Sequence, residues 1–495
     1  MTARGADGLG PGALVWAGFD GPQVPAPLLD ALRSGHVGGV VLFAFRGNIR
    51  SKDQVRAMLR EVQDAARAGG LPPVPAAVDQ EGGGVVRVGY RAVFPSAMAL
   101  GAIGDQALVE RVARAVAEGL RADGIAVNHA PVCDVNVEPR NPVINTRSFG
   151  DDPARVGELA AAWVRGSEGA GVATTPKHFP GHGASAVDSH HTTVDVRADR
   201  ATLERRELVP FRAAIAAGAS GVMTAHIRYP ALDEESIATL SPRIATRLLR
   251  EELGFDGLLM TDSLDMSGVT QVETPDGLVG RAVRAGIDAV MVTSNLELQL
   301  AAAERIATQV PAPRVLEALR RAAAFRRRFG IAVPTEDADD AAACALAREV
   351  AARSITHVGP ALPRLERIRV TFVGAPRLSP VEELRDPFGT LEAALRRRFG
   401  ERASFAHDGQ EPDGDAPLVL CASSASFDGE QTKRVRELAL RAAVLCALRS
   451  PYDATLAPHL PALLTYGDVP VSLEALAAVL AGERAAEGRS PVRLA

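Results

Sequence analysis

GLLMTDS, residues 257–263, runs through five nearly apolar positions and then meets a carboxylate, Asp262. A strand that is apolar without alternation is buried on both faces, the habit of parallel sheet. The same texture recurs at 13–18 (ALVWAG), 38–44 (GGVVLFA), 74–78 (VPAAV), 125–132 (IAVNHAPV), 172–175 (VATT), 221–226 (GVMTAH) and 289–293 (AVMVT). Helix-like stretches lie between, for example 104–122, 153–169, 201–217 and 242–253. Eight strand–helix alternations within about 330 residues predict a (β/α)8 barrel with some long loops. A doubly wound sheet is the rival, but the fingerprints GxGxxG and GxxxxGK[ST] that often accompany it are absent.

Near 330–342 an acidic, Pro-containing stretch, FGIAVPTEDADDA, changes the texture. A second α/β pattern follows, with strands expected at 368–374, 416–422, 442–447 and 462–466 and helices at 389–398, 429–441 and 472–483. The expected organisation is a catalytic barrel over 1–332, a linker over 333–345 and a smaller three-layer α/β sandwich over 346–495.

Composition narrows the class. Of 495 residues, 47% are hydrophobic and 23% charged, as in ordinary globular chains. The net charge of −5 gives no basic excess for nucleic acid or an anionic membrane. The four cysteines form no CxxC pair and read as reduced, mostly buried thiols. No run of 18 apolar residues suggests a membrane span, and the N-terminus does not read as a signal peptide. The expected location is therefore cytoplasmic.

In a (β/α)8 barrel the chemistry sits at the C-terminal ends of the strands. The unusual polar residues fall there repeatedly. The third strand runs into Asp79-Gln80-Glu81-Gly82-Gly83-Gly84, with Arg87 soon after. Arg147 follows the fourth, and Lys177 and His178 close the fifth, ahead of His182, Asp188, His190 and His191. The sixth ends at His226 and the seventh at Asp262. A carboxylate in the place of Asp262 suits a nucleophile on an anomeric carbon. It also suits a helix N-cap. Asp188 and His190 are two apart, so an extended loop would present both on one side and let the carboxylate polarise the imidazole. Histidines that merely fold a loop are the plainer alternative. Asp79, Arg87, Arg147, Lys177 and His178 would form a mixed-charge pocket for a polyol, or separate structural salt bridges. Lys177 could also be a Schiff-base amine, which would make a lyase. Four of the ten histidines lie in 178–191, but HExxH is absent and the spacing matches no ligand pattern, so no metal and no cofactor is expected.

The motifs DQEGG (79–83), NPVINTRSFG (141–150), KHFPGHG (177–183), DSH (188–190), MTAHIRYP (223–230) and MTDSLDM (260–266) resemble glycoside hydrolase family 3, in its NagZ-type β-N-acetylglucosaminidase branch. The resemblance covers roughly residues 12–330. It implies a retaining, exo-acting β-N-acetylhexosaminidase working by double displacement. Asp262 matches the nucleophile, His190 the acid/base and Asp188 its partner. Asp79, Arg87, Arg147, Lys177 and His178 match the residues that grip terminal N-acetylglucosamine, and His226, in the MTAHIRYP motif, is expected to bind substrate with them. The usual first-motif form is DQEGGRV; here Gly84 replaces the arginine while Arg87 keeps its place. The expected partners are β-N-acetylglucosaminyl saccharides such as muropeptide or chitin-type fragments. A histidine acid/base does not repel an anionic acceptor, so phosphate is the alternative acceptor and a β-N-acetylglucosaminide phosphorylase the alternative activity.

Overall fold

In the computed structural model the described residues are 5, 8–186, 194–331, 336–374 and 378–494. The first half is a nearly closed parallel barrel. Its strands are β1 (Val15–Ala17), β2 (Gly39–Leu42), β3 (Ala76–Val78), β4 (Val127–Asn128), β5 (Ala173–Thr174), β6 (Gly221–Thr224), β7 (Leu258–Ser263) and β8 (Ala289–Val292). Each falls within or overlaps a run expected from the sequence. The ladder runs β5-β4-β3-β2-β1-β8-β7-β6, all parallel. The gap between β5 and β6 is bridged just beyond β5, where Met223 N donates to Pro176 O (3.0 Å) and Phe179 N to Met223 O (2.8 Å). The segment carrying Lys177 and His178 is therefore part of the barrel wall.

Close packing inside the barrel explains some small residues. Gly39 lies against the Trp16 ring, where a Cβ would come within 2.3 Å. Overpacking of that kind typically costs about 1–3 kcal/mol. The stretch 242–253 is helical as expected, but over Arg243–Glu252 it takes π-helical form.

The second half is a six-stranded sheet. Its strands are β9 (Thr356–Val358), β10 (Ile368–Gly374), β11 (Ala403–Ala406), β12 (Leu418–Ser423), β13 (Ala442–Ala447) and β14 (Ala462–Leu464). Their order is β9-β14-β13-β12-β10-β11, parallel except for β9. The four expected strands form its middle, and the sequence reading missed the edge strands β9 and β11. Along β12 the side chains alternate between two cores, Val419 and Cys421 on one face, Leu420 and Ala422 on the other. Helices over 387–399 and 470–480 cover the first face. The helix over 429–439 covers the second, together with Met98, Ala99 and Ala102 of a barrel-side helix, Ala97–Ile103. The two halves thus share a core.

The acidic stretch read as a linker is partly helix, from Asp340 onward, capped by the Asp339 side chain on Ala342 N. It is pinned to the barrel because Arg91 meets Asp337 (2.8 Å), Asp340 (2.9 Å) and the fully buried Asp123 (2.6 Å). Cys133, Cys421 and Cys446 are buried free thiols and Cys344 is half-buried. Among the described residues, no helix is long and apolar enough to cross a membrane.

Candidate active site

The C-terminal ends of the strands surround a cavity of about 280 Å³. Asp79, Arg87, Arg147, Lys177, His178 and Asp262 all line it. Six residues spread over 184 positions of sequence thus meet where barrel topology places chemistry.

Lys177 is the hub of the floor. Its Nζ stands 2.6 Å from Asp79 Oδ1 and 2.6 Å from Glu81 Oε1, with the side chain 2% exposed. Two carboxylates occupy two of its three hydrogens, so it acts as a charged cross-link and not as a free Schiff-base amine. Arg147 grips Glu81 from the other side through two bonds, Nε to Oε2 and Nη2 to Oε1, each 2.8 Å. Burial raises the Glu81 carboxyl, but Arg147 and Lys177 outweigh it and hold the group down at about 2. Burial likewise raises Asp79, and Lys177 and Arg87 bring it well below the usual carboxylate range. Both are acceptors at neutral pH.

The next wall is built on Asp134. Its Oδ2 lies 2.7 Å from His178 Nδ1, while Oδ1 accepts from the backbone N–H groups of His178 (3.2 Å) and His182 (2.6 Å). A carboxylate on Nδ1 fixes the imidazole proton there and leaves the other nitrogen as an acceptor. His178 Nε2 lies 3.5 Å from Arg147 Nη2, so the two rims of the pocket are tied together.

Asp262 ends β7 with its side chain partly exposed and lines the cavity. Its Oδ1 accepts from Ser263 N at 2.7 Å. Three residues on, Asp265 Oδ2 accepts from Thr293 N (2.5 Å) and Ser294 N (2.8 Å), which braces the β7 and β8 ends. His226 stands apart from the other expected residues. It is 2% exposed and absent from the lining, with Nδ1 on Thr239 Oγ1 (2.8 Å) and Nε2 on Ser263 O (3.0 Å). It holds the strand end that carries Asp262. Asp188, His190 and His191 lie outside the described residues. Among the described residues no cluster of three or more metal-ligating side chains occurs.

Residues 23–324 match the family model described as the glycosyl hydrolase family 3 N terminal domain. The chain belongs to glycoside hydrolase family 3. It is 40% identical over 283 residues to a β-hexosaminidase of Stenotrophomonas maltophilia, covering 56% of this chain and 82% of that one. To the β-hexosaminidase A of Pseudoalteromonas piscicida it is 38% identical over 288 residues, and there the match spans about half, 48%, of the relative's length. A family 3 β-N-acetylglucosaminidase structure from Paenibacillus sp. superposes with a TM-score of 0.90 at 32% identity, over 98% of each chain. That similarity includes the second half of the chain, which lies beyond the family 3 N-terminal match.

Four groups in this family 3 pocket escaped the sequence reading as site residues. Glu81 sits in a quoted motif, two positions from Asp79, close enough for one ammonium to meet both. Asp134 lies in an apolar setting, PVCDV, where a lone acid needs a buried partner. His129 lines the cavity with Nδ1 on Thr175 Oγ1 (3.0 Å), and burial, with Lys177 adding to it, lowers its pKa to about 4. The last is the loop of Pro380 and Val381, which reaches the cavity from the second half.

Proposed function

We propose that this family 3 β-hexosaminidase is an exo-acting, retaining β-N-acetylhexosaminidase that removes terminal β-linked N-acetylglucosamine. The observation that carries the proposal is the convergence on one cavity of the Asp262 carboxylate and a set of compensated cations. Three cations of the cavity each face a carboxylate partner, and Asp262 lines the same cavity near the end of β7. Lys177 has Asp79 and Glu81, Arg147 has Glu81, and Arg87 has Glu383 at 2.6 Å. A carboxylate in the place of Asp262 suits the positive charge that develops on a sugar ring as its glycosidic bond breaks. The volume, about 280 Å³, lies just below the range usual for drug-sized ligands, as a pocket for one ring should.

In this reading Asp262 attacks the anomeric carbon while His190 protonates the departing oxygen. A glycosyl ester and a free alcohol result. His190 then takes a proton from water, whose oxygen attacks the same carbon and releases Asp262. Asp188 orients the imidazole. The assignment of His190 and Asp188 rests on the KHFPGHG and DSH motifs. Asp79, Arg87, Arg147, Lys177 and His178 hold the ring, and the aglycone is a further saccharide such as a muropeptide or chitin-type fragment.

Phosphate is the other possible acceptor. The pairing of Arg87, Arg147 and Lys177 with carboxylates leaves these cations compensated, which favours water. The test is turnover of an aryl β-N-acetylglucosaminide with and without phosphate. Free N-acetylglucosamine of retained β configuration is expected in both. N-acetylglucosamine 1-phosphate would show phosphorolysis, and no phenol release at all would overturn the proposal.

A further inference from the structure

We infer that the second half of the chain completes the sugar pocket, and that Glu383 is a positioning residue acting on it through Arg87; this rests on the reading of the cavity as a sugar site.

Arg87 is buried, with its side chain 1% exposed, so its charge requires a close counter-ion. Asp79 is poorly placed to be one, because its Oδ2 is 3.9 Å from Arg87 Nη2 and its Oδ1 is engaged by Lys177. Glu383 fills the role from 296 positions away in sequence, with Oε1 2.6 Å from Arg87 Nη1. The same Nη1 donates to Val381 O at 2.7 Å. Phe45 supports the guanidinium from its face, 5.1 Å from the ring centroid.

The loop that delivers Glu383 is fixed at two points to the turn after β3. Glu383 N donates to Gly84 O (2.9 Å) and Arg385 Nη1 to Gly83 O (2.6 Å). At Gly84 a Cβ would stand 3.1 Å from Glu382 Oε1, so the Glu382 side chain packs directly on this turn. Glu382 is held in turn by Arg449 (3.2 Å), and Arg449 by Asp468 (2.7 Å). The turn of the DQEGG motif is thus read by the second half of the chain, and Pro380 and Val381 become part of the cavity wall.

The consequence is specific. With Glu383 present, Arg87 is drawn away from Asp79, and Asp79 keeps an oxygen for a sugar hydroxyl. Without that charge Arg87 turns to Asp79 and covers the acceptor. Sugar binding weakens while the bond-breaking step, centred on Asp262, is spared.

The experiment uses the full chain and the aryl β-glycoside that the wild-type enzyme cleaves best. A wrong sugar class then sinks the proposed function and leaves the comparison of variants decisive. Glu383→Gln keeps the shape and removes the charge. KM is expected to rise about 10-fold, as for loss of a charged hydrogen bond, with kcat within about 3-fold. In an Arg87→Met background the same substitution should change KM by less than about 2-fold, since the residue it acts through is gone. Arg385→Gln is the comparison, because it loosens one anchor of the loop on Gly83 and leaves the Glu383 charge beside Arg87, so its KM should rise less. An unchanged KM in Glu383→Gln would overturn the inference, and so would an equal rise in Arg385→Gln or an undiminished effect in the Arg87→Met background. Calorimetric Kd values for the released monosaccharide give the same ratios without turnover.

Discussion

Arg147 and Glu81 face each other through two parallel hydrogen bonds of 2.8 Å, with side-chain exposures of 6% and 4%. A buried pair of this kind is costly to break from one side, because the survivor keeps its charge without compensation. Glu81→Ala is therefore expected to destabilise the fold by about 3–5 kcal/mol, measured as urea unfolding. Arg147→Lys should lose the two-bond geometry and weaken sugar binding with a smaller loss of stability. An Arg147→Lys enzyme with normal KM would separate this pair from the substrate.

Replacing Asp262 should do the opposite. The side chain is partly exposed on the cavity wall and accepts from the adjacent Ser263 N, so Asp262→Ala is expected to unfold at close to the wild-type temperature. Turnover should fall by about three orders of magnitude or more, as for other nucleophile deletions. A 2-fluoro or 5-fluoro glycosyl probe should label Asp262, seen by peptide mass spectrometry. Labelling on another carboxylate would remove the assignment.

Much of this was legible in the sequence, for a physical reason. Barrel strands are buried on both faces, so GVMTAH, GLLMT and AVMVT betray themselves by lacking alternation, and polar residues at their ends are conspicuous. Edge strands lack that signature. Thr356–Val358 and Ala403–Ala406 are short and half-wet, and nothing in THV or ASFA sets them apart from loop. His226 shows the limit of reasoning by position. It ends a strand as expected, yet hydrogen bonds to Thr239 and Ser263 turn it into the wall. The contact between Glu383 and Arg87 could not be read at all, since no local pattern encodes a partner 296 residues distant.

Acid stability follows from two groups in the pocket. Glu81 has its pKa brought down from 4.5 to about 2 in the fold, and His129 from 6.5 to about 4. In both cases the unfolded chain takes up the proton first, so stability is full above the unfolded value and is lost as pH falls toward the folded one. His129 should act between about pH 6.5 and 4, and Glu81 below about 4.5. Each is worth roughly 3 kcal/mol at most. His129→Gln should therefore flatten the decline in urea midpoint between pH 6.5 and 4.5. A slope identical to that of the wild type would show that His129 titrates normally in the fold.

The role proposed for His190 makes its loss depend on the leaving group. A sugar alkoxide needs a proton in order to depart, so His190→Ala should nearly abolish cleavage of a disaccharide. An acidic phenol departs unaided, and Asp262 should still form the glycosyl ester from such a substrate. Water then lacks its base, the ester accumulates, and the trace is a burst of phenol followed by a slow steady state. Each proton-transfer role is worth typically 10²–10⁴-fold, roughly the expected slowing of the second phase. Azide should restore it, because an anionic nucleophile needs no base, and the product should be the β-glycosyl azide. Asp188→Ala should give a milder form, since the imidazole remains but is no longer held. If His190→Ala cleaves good and poor leaving groups at equal, near-normal rates, the proton comes from elsewhere. His182 and His191 would then be the next histidines to replace, and the pairing of Asp188 with His190 across two positions would carry no chemistry.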